Sequence, residues 1–222
     1  MKAFFDAVRP MFGGQLTPSQ VSGMETLLAA MEGLPISHRA YLLATAMHET
    51  AQTMQPVRET LAKDNATAIR RLDDAFAKGK LLWVSAPYWR EGWFGRGYVQ
   101  LTHKANYIKA GNKLGVDLVN NPDMALQPTI AAMILVRGCS EGWFTGKHLD
   151  EYLPGDYIGA RRVVNGTDRA VSIAKIAATF EEALLIKPES KRPSLHPPIA
   201  SPKTYWLSAL IEMVKAFFRG RK

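Results

Sequence analysis

The chain has 222 residues, of which 47% are hydrophobic and 22% are charged. That composition is typical of a folded globular protein and excludes general disorder, and the length suits one core with at most a small appendage. The single cysteine, Cys139, excludes an intramolecular disulfide framework and a cysteine-based zinc site. A buried structural thiol is its expected role.

The net charge of +8 favours an anionic partner. Because the basic residues form short dispersed pairs, such as Arg70-Arg71 and Arg161-Arg162, rather than one dense stripe, no nucleic-acid partner is expected. A membrane surface and an acidic polymer such as a bacterial envelope both remain compatible with the charge.

The N-terminal segment is a poor secretory signal. Its short apolar run is broken by Asp6, Arg9 and Pro10, whereas a signal peptide needs about 7–15 uninterrupted apolar residues. No apolar run reaches the roughly 18 residues of a transmembrane helix. We therefore expect the chain to be made in the cytoplasm.

Helical patterns dominate the first third of the chain. One helix is predicted to follow Thr17 as its N-cap, and a second to follow Ser37. The second helix places Glu49 near its C-terminal end, and Pro56 then interrupts the helical pattern. A third helix is predicted over residues 64–80.

The middle of the chain changes character. Residues 83–102 are rich in aromatic residues and glycine, and a short strand is predicted over 98–102, after the tight Gly95-Arg96-Gly97 turn. Helical patterns return in four later segments, so the fold class is mainly α with a small irregular β patch.

The C-terminal part of the chain reads as an appendage. Residues 188–203 hold five prolines and are predicted to form a stiff linker. Residues 204–222 carry an apolar stripe at helical spacing and a basic end. This amphipathic helix either packs on the domain as a final core helix or contacts an anionic membrane or lipopolysaccharide surface.

The stretch from His48 to Gln52, HETAQ, raises the question of a metal site. A zinc-protease motif needs a second histidine four residues after the first, but that position is Gln52. The other histidines are scattered without the spacing of metal ligands. No nucleophile elbow or dinucleotide-binding glycine motif is present either, so neither a metal nor a cofactor is expected.

Paired carboxylates remain as candidate chemistry. On one straight helix Glu49 and Glu59 would lie about 15 Å apart. If the chain folds back at Pro56, they can face each other at roughly 6.5–9.5 Å, the separation of an inverting glycosidase. The alternative from these residues alone is that both are surface glutamates.

The aromatic segment favours a carbohydrate site. Sugar rings stack on aromatic side chains, and neutral polar groups bind their hydroxyl and acetamido groups. Core packing accounts for part of this cluster, but Trp93 and Tyr98 are candidates for sugar contact. Gln100, Thr102 and Asn106 add neutral polar groups in the same segment.

The segment WFGRGYVQLTHKANYIKAG, with HET upstream and VVNG downstream, resembles glycoside hydrolase family 19. It is most similar to the lysozyme-like endolysins of phages that infect Gram-negative bacteria. The resemblance covers roughly residues 15–185. It implies a lysozyme-like, mainly α catalytic domain with a cleft, which we place at residues 1–187.

The resemblance also implies site residues. Glu49 would be the general acid and Glu59 the general base, with Glu91 as the main competitor for the base. Thr102 would hold the attacking water. The predicted substrate-binding residues are His48, Trp93, Tyr98, Gln100, Asn106, Asn165 and Lys175, the last as a basic residue that supports the acidic pair.

The implied function is inverting hydrolysis of β-1,4 glycosidic bonds in peptidoglycan, leading to lysis of the host cell. Such an endolysin would act as a monomer without a cofactor. It would stay in the host cytoplasm until a holin opened a route to the periplasm and wall. The alternatives are a chitinase acting on N-acetylglucosamine polymers and a wall-binding module without catalysis.

Overall fold

The computed structural model describes residues 1–186, and this part of the chain is mainly helical, as predicted. The eight α-helices are α1 Lys2–Val8, α2 Pro18–Ala30, α3 Ile36–Glu49, α4 Asn65–Ala77, α5 Lys104–Leu114, α6 Pro128–Ser140, α7 Tyr157–Ala160 and α8 Ala170–Leu185. Short 3-10 helices occupy Arg9–Phe12, Glu59–Leu61, Tyr88–Glu91, Pro122–Leu126, Leu149–Glu151 and Arg161–Val163. The predicted linker at 188–203 and the predicted helix at 204–222 lie outside the described residues.

The helix α3 runs through the main core. It packs chiefly against α8, and its side chains from Ser37 to Met47 are all buried except Arg39. Burial lessens only at the last two residues, His48 and Glu49, which are partly exposed. The end of α3 therefore places the carboxylate of Glu49 at the edge of the core, where it is partly exposed.

The predicted helix starts are confirmed in one case and wrong in the other. The Thr17 hydroxyl accepts a hydrogen bond from the Gln20 amide, and the Gln20 side chain accepts one from the Thr17 amide, which forms a capping box. Ser37 is not a cap. Pro35 occupies the N-cap position with ψ of 148°, so α3 begins at Ile36 and Ser37 is buried inside it.

The β patch is smaller than predicted and lies earlier in the chain. Strand β1 (Val57–Arg58) pairs antiparallel with β2 (Arg96–Gly97). The predicted strand at 98–102 is a turn, because Gln100 has a positive φ of 52° and Leu101 pairs back with Arg96. Sequence propensity favoured the strand, but the tight reversal after Gly97 prevents it.

A second, smaller apolar cluster forms where α4 meets the aromatic segment. Trp89 and Phe94 are fully buried there against Ala68 and Leu72. About half of the aromatic segment thus serves packing, as expected for such rings. The candidate site lies where residues from this cluster's segment meet residues from the main core. No described helix is long and apolar enough to cross a membrane.

Candidate active site

The chain reverses between Glu49 and Glu59, but not at Pro56. Helix α3 ends at Glu49, and Thr50 caps it by donating from its hydroxyl to the Ala46 carbonyl at 2.7 Å and accepting from the Met54 amide at 3.2 Å. The prediction that Pro56 ends the helix is therefore wrong. The backbone turns at residues 50–52, directly after the first carboxylate, and the separation of roughly 6.5–9.5 Å between the carboxylates stays a prediction.

This turn has an unfavourable backbone conformation. Ala51, Gln52 and Met54 have φ angles of 48°, 67° and 53°, in the left-handed region that costs a non-glycine residue about 1–2 kcal/mol. Such a conformation persists only when surrounding contacts determine it. The contacts come from the N-terminal half of α2.

Helix α2 contacts the turn through two hydrogen bonds from glutamine side chains, one in each direction, and through the close approach of a glycine. Gln20 donates to the Gln52 carbonyl at 3.0 Å, and Gln55 donates to the Ser19 carbonyl at 2.6 Å. At Gly23 a Cβ would lie 1.7 Å from the Met54 carbonyl oxygen, so only glycine allows the turn to approach this closely. The reversal between the carboxylates thus depends on α2.

Glu49 forms an ion pair with a buried arginine. The Arg161 guanidinium donates from Nη1 to Glu49 Oε1 at 2.8 Å, and Arg161 is only 2% exposed. Arg161 Nε donates to the Asp168 carbonyl at 3.0 Å, which fixes the guanidinium. Oε2 of Glu49 accepts no hydrogen bond from a side chain or amide of residues 1–186 in this structure. One carboxylate oxygen is therefore anchored and the other is open.

Glu59 is held at both carboxylate oxygens. The Tyr88 hydroxyl donates to Oε1 at 3.0 Å, and the Gly95 amide donates to Oε2 at 2.7 Å. The Glu59 amide in turn donates to the Gly95 carbonyl at 2.7 Å. Both oxygens of Glu59 are therefore fixed by donors, so that the orientation of the carboxylate is determined by Tyr88 and Gly95.

Two arginines beside Glu59 are bridged by one aspartate. Arg58 and Arg96 are register partners in the two-stranded sheet, and like charges directly opposite destabilise a pair. Asp123 accepts from Arg58 at 2.9 Å and from Arg96 at 2.7 Å. Burial alone would raise the pKa of Asp123, but these two hydrogen bonds bring it below the ordinary value of an aspartate. The bridge fixes the strand pair from which Glu59 emerges.

An open cleft of about 490 Å³ lies against Glu49. Polar side chains of its lining include Gln100, Thr102, His103 and Asn165, and the segment 83–88 forms one wall. The lining residues are Glu49, Trp83, Val84, Ser85, Ala86, Tyr88, Val99, Gln100, Thr102, His103, Val164 and Asn165. A cleft with several polar groups and an exposed tryptophan suits an oligosaccharide chain.

Four predicted site residues line this cleft. They are Glu49, Gln100, Thr102 and Asn165. The Thr102 hydroxyl donates to the Gln100 carbonyl at 3.1 Å, which leaves its lone pairs free to accept. Gln100 uses its amide group to donate to the carbonyls of Val57 and Gly97, so that its position depends on the sheet.

Other predicted residues lie outside the cleft lining. Trp93 packs on Tyr107 with ring centroids 5.4 Å apart, and Tyr98 is fully buried in the main core. Asn106 donates to the Thr102 carbonyl at 2.8 Å and so supports a lining residue from behind. His48 is partly exposed beside Glu49.

Lys175 and Glu91 are exposed side chains. The basic residue that contacts Glu49 is Arg161 rather than Lys175, which lies on α8. Glu91, the competitor for the base, ends the 3-10 helix that contains Tyr88. Within residues 1–186, no three His, Cys, Asp or Glu side chains are grouped to hold a metal ion.

Sequence reasoning missed Arg161 and Tyr88. Arg161 was noted only as half of a basic pair, and Tyr88 only as one of several aromatic residues. Nothing local distinguishes a buried arginine from a solvated one, and the contacts span 112 residues for Arg161 and 29 for Tyr88. The proximity of Arg161 to the VVNG segment is the only sequence signal that bears on its position.

Comparison with known proteins agrees with this architecture. Residues 43–145 match the family "Chitinase class I". A 40-residue stretch is 55% identical to Chitinase 11 of Oryza sativa subsp. japonica and covers 18% of this chain and 16% of that protein. A 90-residue stretch is 34% identical to Endochitinase 2 of Solanum tuberosum and covers 40% of this chain and 27% of that one.

The chain thus spans less than a third of the length of these curated relatives. Its fold is similar to that of chitinase C from Streptomyces griseus HUT6037, with a TM-score of 0.53 and 18% identity over 80% of this chain and 74% of that one. The matched stretch, residues 43–145, contains both Glu49 and Glu59 and is similar to the class I chitinases, glycoside hydrolase family 19.

Proposed function

We propose that this domain hydrolyses β-1,4 glycosidic bonds with inversion, using Glu49 as general acid and Glu59 as general base. The observation that carries the proposal is the different anchoring of the two carboxylates. Glu49 leaves Oε2 open at the cleft, whereas Glu59 has a donor on each oxygen. When two carboxylates lie in different environments, one can act as the acid and the other as the base.

In this mechanism Glu49 gives the proton on Oε2 to the leaving glycosidic oxygen, while Arg161 keeps Oε1 in place. Water adds to the anomeric carbon from the opposite face of the sugar, and its proton passes to Glu59. Thr102 accepts a hydrogen bond from that water, since its own proton is donated to Gln100. The exposed ring of Trp83 offers a flat face for a sugar beside the reacting one.

We propose peptidoglycan as the substrate and host-cell lysis as the role, as for an endolysin. The net charge of +8 supports a carboxylate- and phosphate-bearing envelope over neutral chitin. Chitin is the second candidate, because the matched relatives are named chitinases. A wall-binding module without catalysis would keep the cleft but yield no cleavage products.

The test is digestion of purified peptidoglycan and, separately, of N-acetylglucosamine oligomers, with products identified by mass spectrometry. We expect new reducing ends from peptidoglycan, with the anomer of the first-formed product inverted in NMR spectra. Products only from the oligomers would support the chitinase. Anhydro-muramic ends would identify a lytic transglycosylase, and an absence of products from both substrates would leave the binding module.

We also propose that residues 204–222 contact the anionic envelope and that access to the wall depends on a holin. Lys215, Arg219, Arg221 and Lys222 support this role, with Glu212 as the one acidic residue of the segment. Deleting residues 203–222 should reduce binding to anionic liposomes and lysis of intact cells. Unchanged liposome binding and unchanged lysis would reject the proposed envelope contact of residues 204–222.

A further inference from the structure

The base of the proposed reaction lies beside the cleft rather than in its lining. Glu59 is absent from the described residues that line the cleft, although Glu49 and Thr102 are among them. The residue that both lines the cleft and contacts Glu59 is Tyr88, through the 3.0 Å hydrogen bond from its hydroxyl to Oε1. Tyr88 thus connects the cleft with the carboxylate of Glu59.

We propose that Tyr88 is a catalytic residue that relays a proton from the attacking water to Glu59, an inference that rests on the proposed hydrolysis. The water oxygen forms the bond to the anomeric carbon, and one water proton moves to Tyr88 Oη. The phenolic proton of Tyr88 moves at the same time to Glu59 Oε1. Tyr88 ends neutral as it began, Glu59 ends protonated, and Glu49 ends ionised after protonating the leaving oxygen.

The surroundings of Tyr88 hold its ring in place for this role. The Tyr88 ring packs edge-on against the Trp89 ring, with 5.1 Å between the ring centroids. The His103 ring contacts the Tyr88 ring at a tilt, with 4.5 Å between the centroids. Trp89 is itself fully buried and donates from its indole nitrogen to Asp73 at 2.9 Å. The hydroxyl is thus directed from a fixed ring rather than from a mobile loop side chain.

The protonation state of Tyr88 also suits a relay. Burial, then the charge of Glu59 and the hydrogen bond to it, raise the pKa of the Tyr88 phenol. The hydroxyl therefore keeps its proton at neutral pH. A neutral phenol donates with its hydrogen and accepts with its lone pairs at the same moment, which a two-proton shift requires.

Thr102 completes the path. Its proton is donated to the Gln100 carbonyl at 3.1 Å, so it approaches a water in the cleft as an acceptor. Tyr88, whose proton is donated to Glu59, likewise approaches the water as an acceptor. The water then donates to two hydroxyls and presents a lone pair to the sugar, which is the arrangement that nucleophilic attack needs.

The experiment compares Tyr88→Phe with the wild type on the substrate that the wild type cleaves. The variant keeps the ring and removes only the hydroxyl, so we expect kcat to fall about 10²-fold, a typical contribution of positioned proton transfer. KM should stay within about twofold, and the melting temperature should change little. Tyr152→Phe is the matched control, because the Tyr152 hydroxyl makes no hydrogen bond within residues 1–186 and lies outside the cleft lining.

Wild-type kcat in Tyr88→Phe would overturn the relay while leaving the proposed hydrolysis intact. A higher kcat would also overturn it, since the hydroxyl would then only obstruct Glu59. A higher KM with unchanged kcat would assign Tyr88 to substrate binding and reject the relay. Failure of the proposed function itself looks different, because the wild type would then cleave neither peptidoglycan nor N-acetylglucosamine oligomers.

Discussion

Arg161 and Glu49, 112 residues apart in the chain, form an ion pair of 2.8 Å in which the arginine is almost completely buried. The sequence predicted Lys175 as the basic residue that supports the acidic pair. The structure provides Arg161 instead, and it contacts only one oxygen of Glu49. An acid anchored in this way keeps its direction towards the cleft while its second oxygen remains open for a proton.

Glu49→Gln is expected to lower the rate of cleavage by about 10²–10⁴-fold, the range for loss of a general acid. The fold should remain, because the amide oxygen of glutamine still accepts from Arg161. Turbidity loss of permeabilised Gram-negative cells and the melting temperature, measured on the same preparation, check both parts. Retained lysis would reject Glu49 as the acid.

Glu59→Gln tests the base against its competitor. We expect a large loss of activity from Glu59→Gln, since an amide cannot take the proton from water. Glu91→Gln should stay near wild type, because Glu91 is exposed and, unlike that of Glu59, its side chain makes no hydrogen bond within residues 1–186 to a residue that lines the cleft. Initial rates on the same substrate decide between them, and the reverse pattern would show that Glu91 is the base.

Arg161→Gln is expected to reduce the free energy of unfolding by about 1.5–3 kcal/mol, the usual contribution of a hydrogen bond to a charged group, because the Glu49 left behind is partly exposed. Urea denaturation of both proteins measures this change. Exposed Arg162→Gln is the matched control next to it in the chain, with little expected effect. A loss below about 1 kcal/mol for Arg161→Gln would mean that the pair does not stabilise the fold.

Asp123→Asn should lower stability in a pH-dependent way. Because the folded pKa of Asp123 is depressed, its contribution is fully present above the ordinary aspartate value of 3.8 and is lost as the pH falls through the lower folded value. The melting temperatures of wild type and variant should therefore differ at pH 7 and converge below pH 3.8. A difference that persists unchanged at low pH would contradict the charge-based role.

Gly23→Ala should disturb the turn between the carboxylates from the opposite side. The new Cβ would lie 1.7 Å from the Met54 carbonyl oxygen, so either the turn or α2 must move, at a cost of about 1–3 kcal/mol. Thermal unfolding and activity should both fall. Ser22→Ala, at the exposed neighbouring position, is the control, and equal behaviour of the two variants would disprove the close packing.

Local sequence signals were sufficient for the helical framework. Thr17 predicts the N-cap of α2 from its immediate neighbours, and the apolar spacing before Glu49 predicts a buried helix with Glu49 near its C-terminal end. The compact block from Phe94 to Tyr107 also carried the family resemblance. Such features depend on contacts within one or two turns of the chain, and these are present in the sequence itself.

The sequence by itself determined the mainly α framework, the position of Glu49 at a helix end and the need for a reversal before Glu59. Tertiary structure decided where the chain turns, because α2 imposes left-handed angles on Ala51 and Gln52 that no local propensity favours. It also decided that Arg161 holds the acid and that Tyr88 holds the base. Those contacts join residues that are distant along the chain, and their energies depend on burial, which arises only when the core has formed.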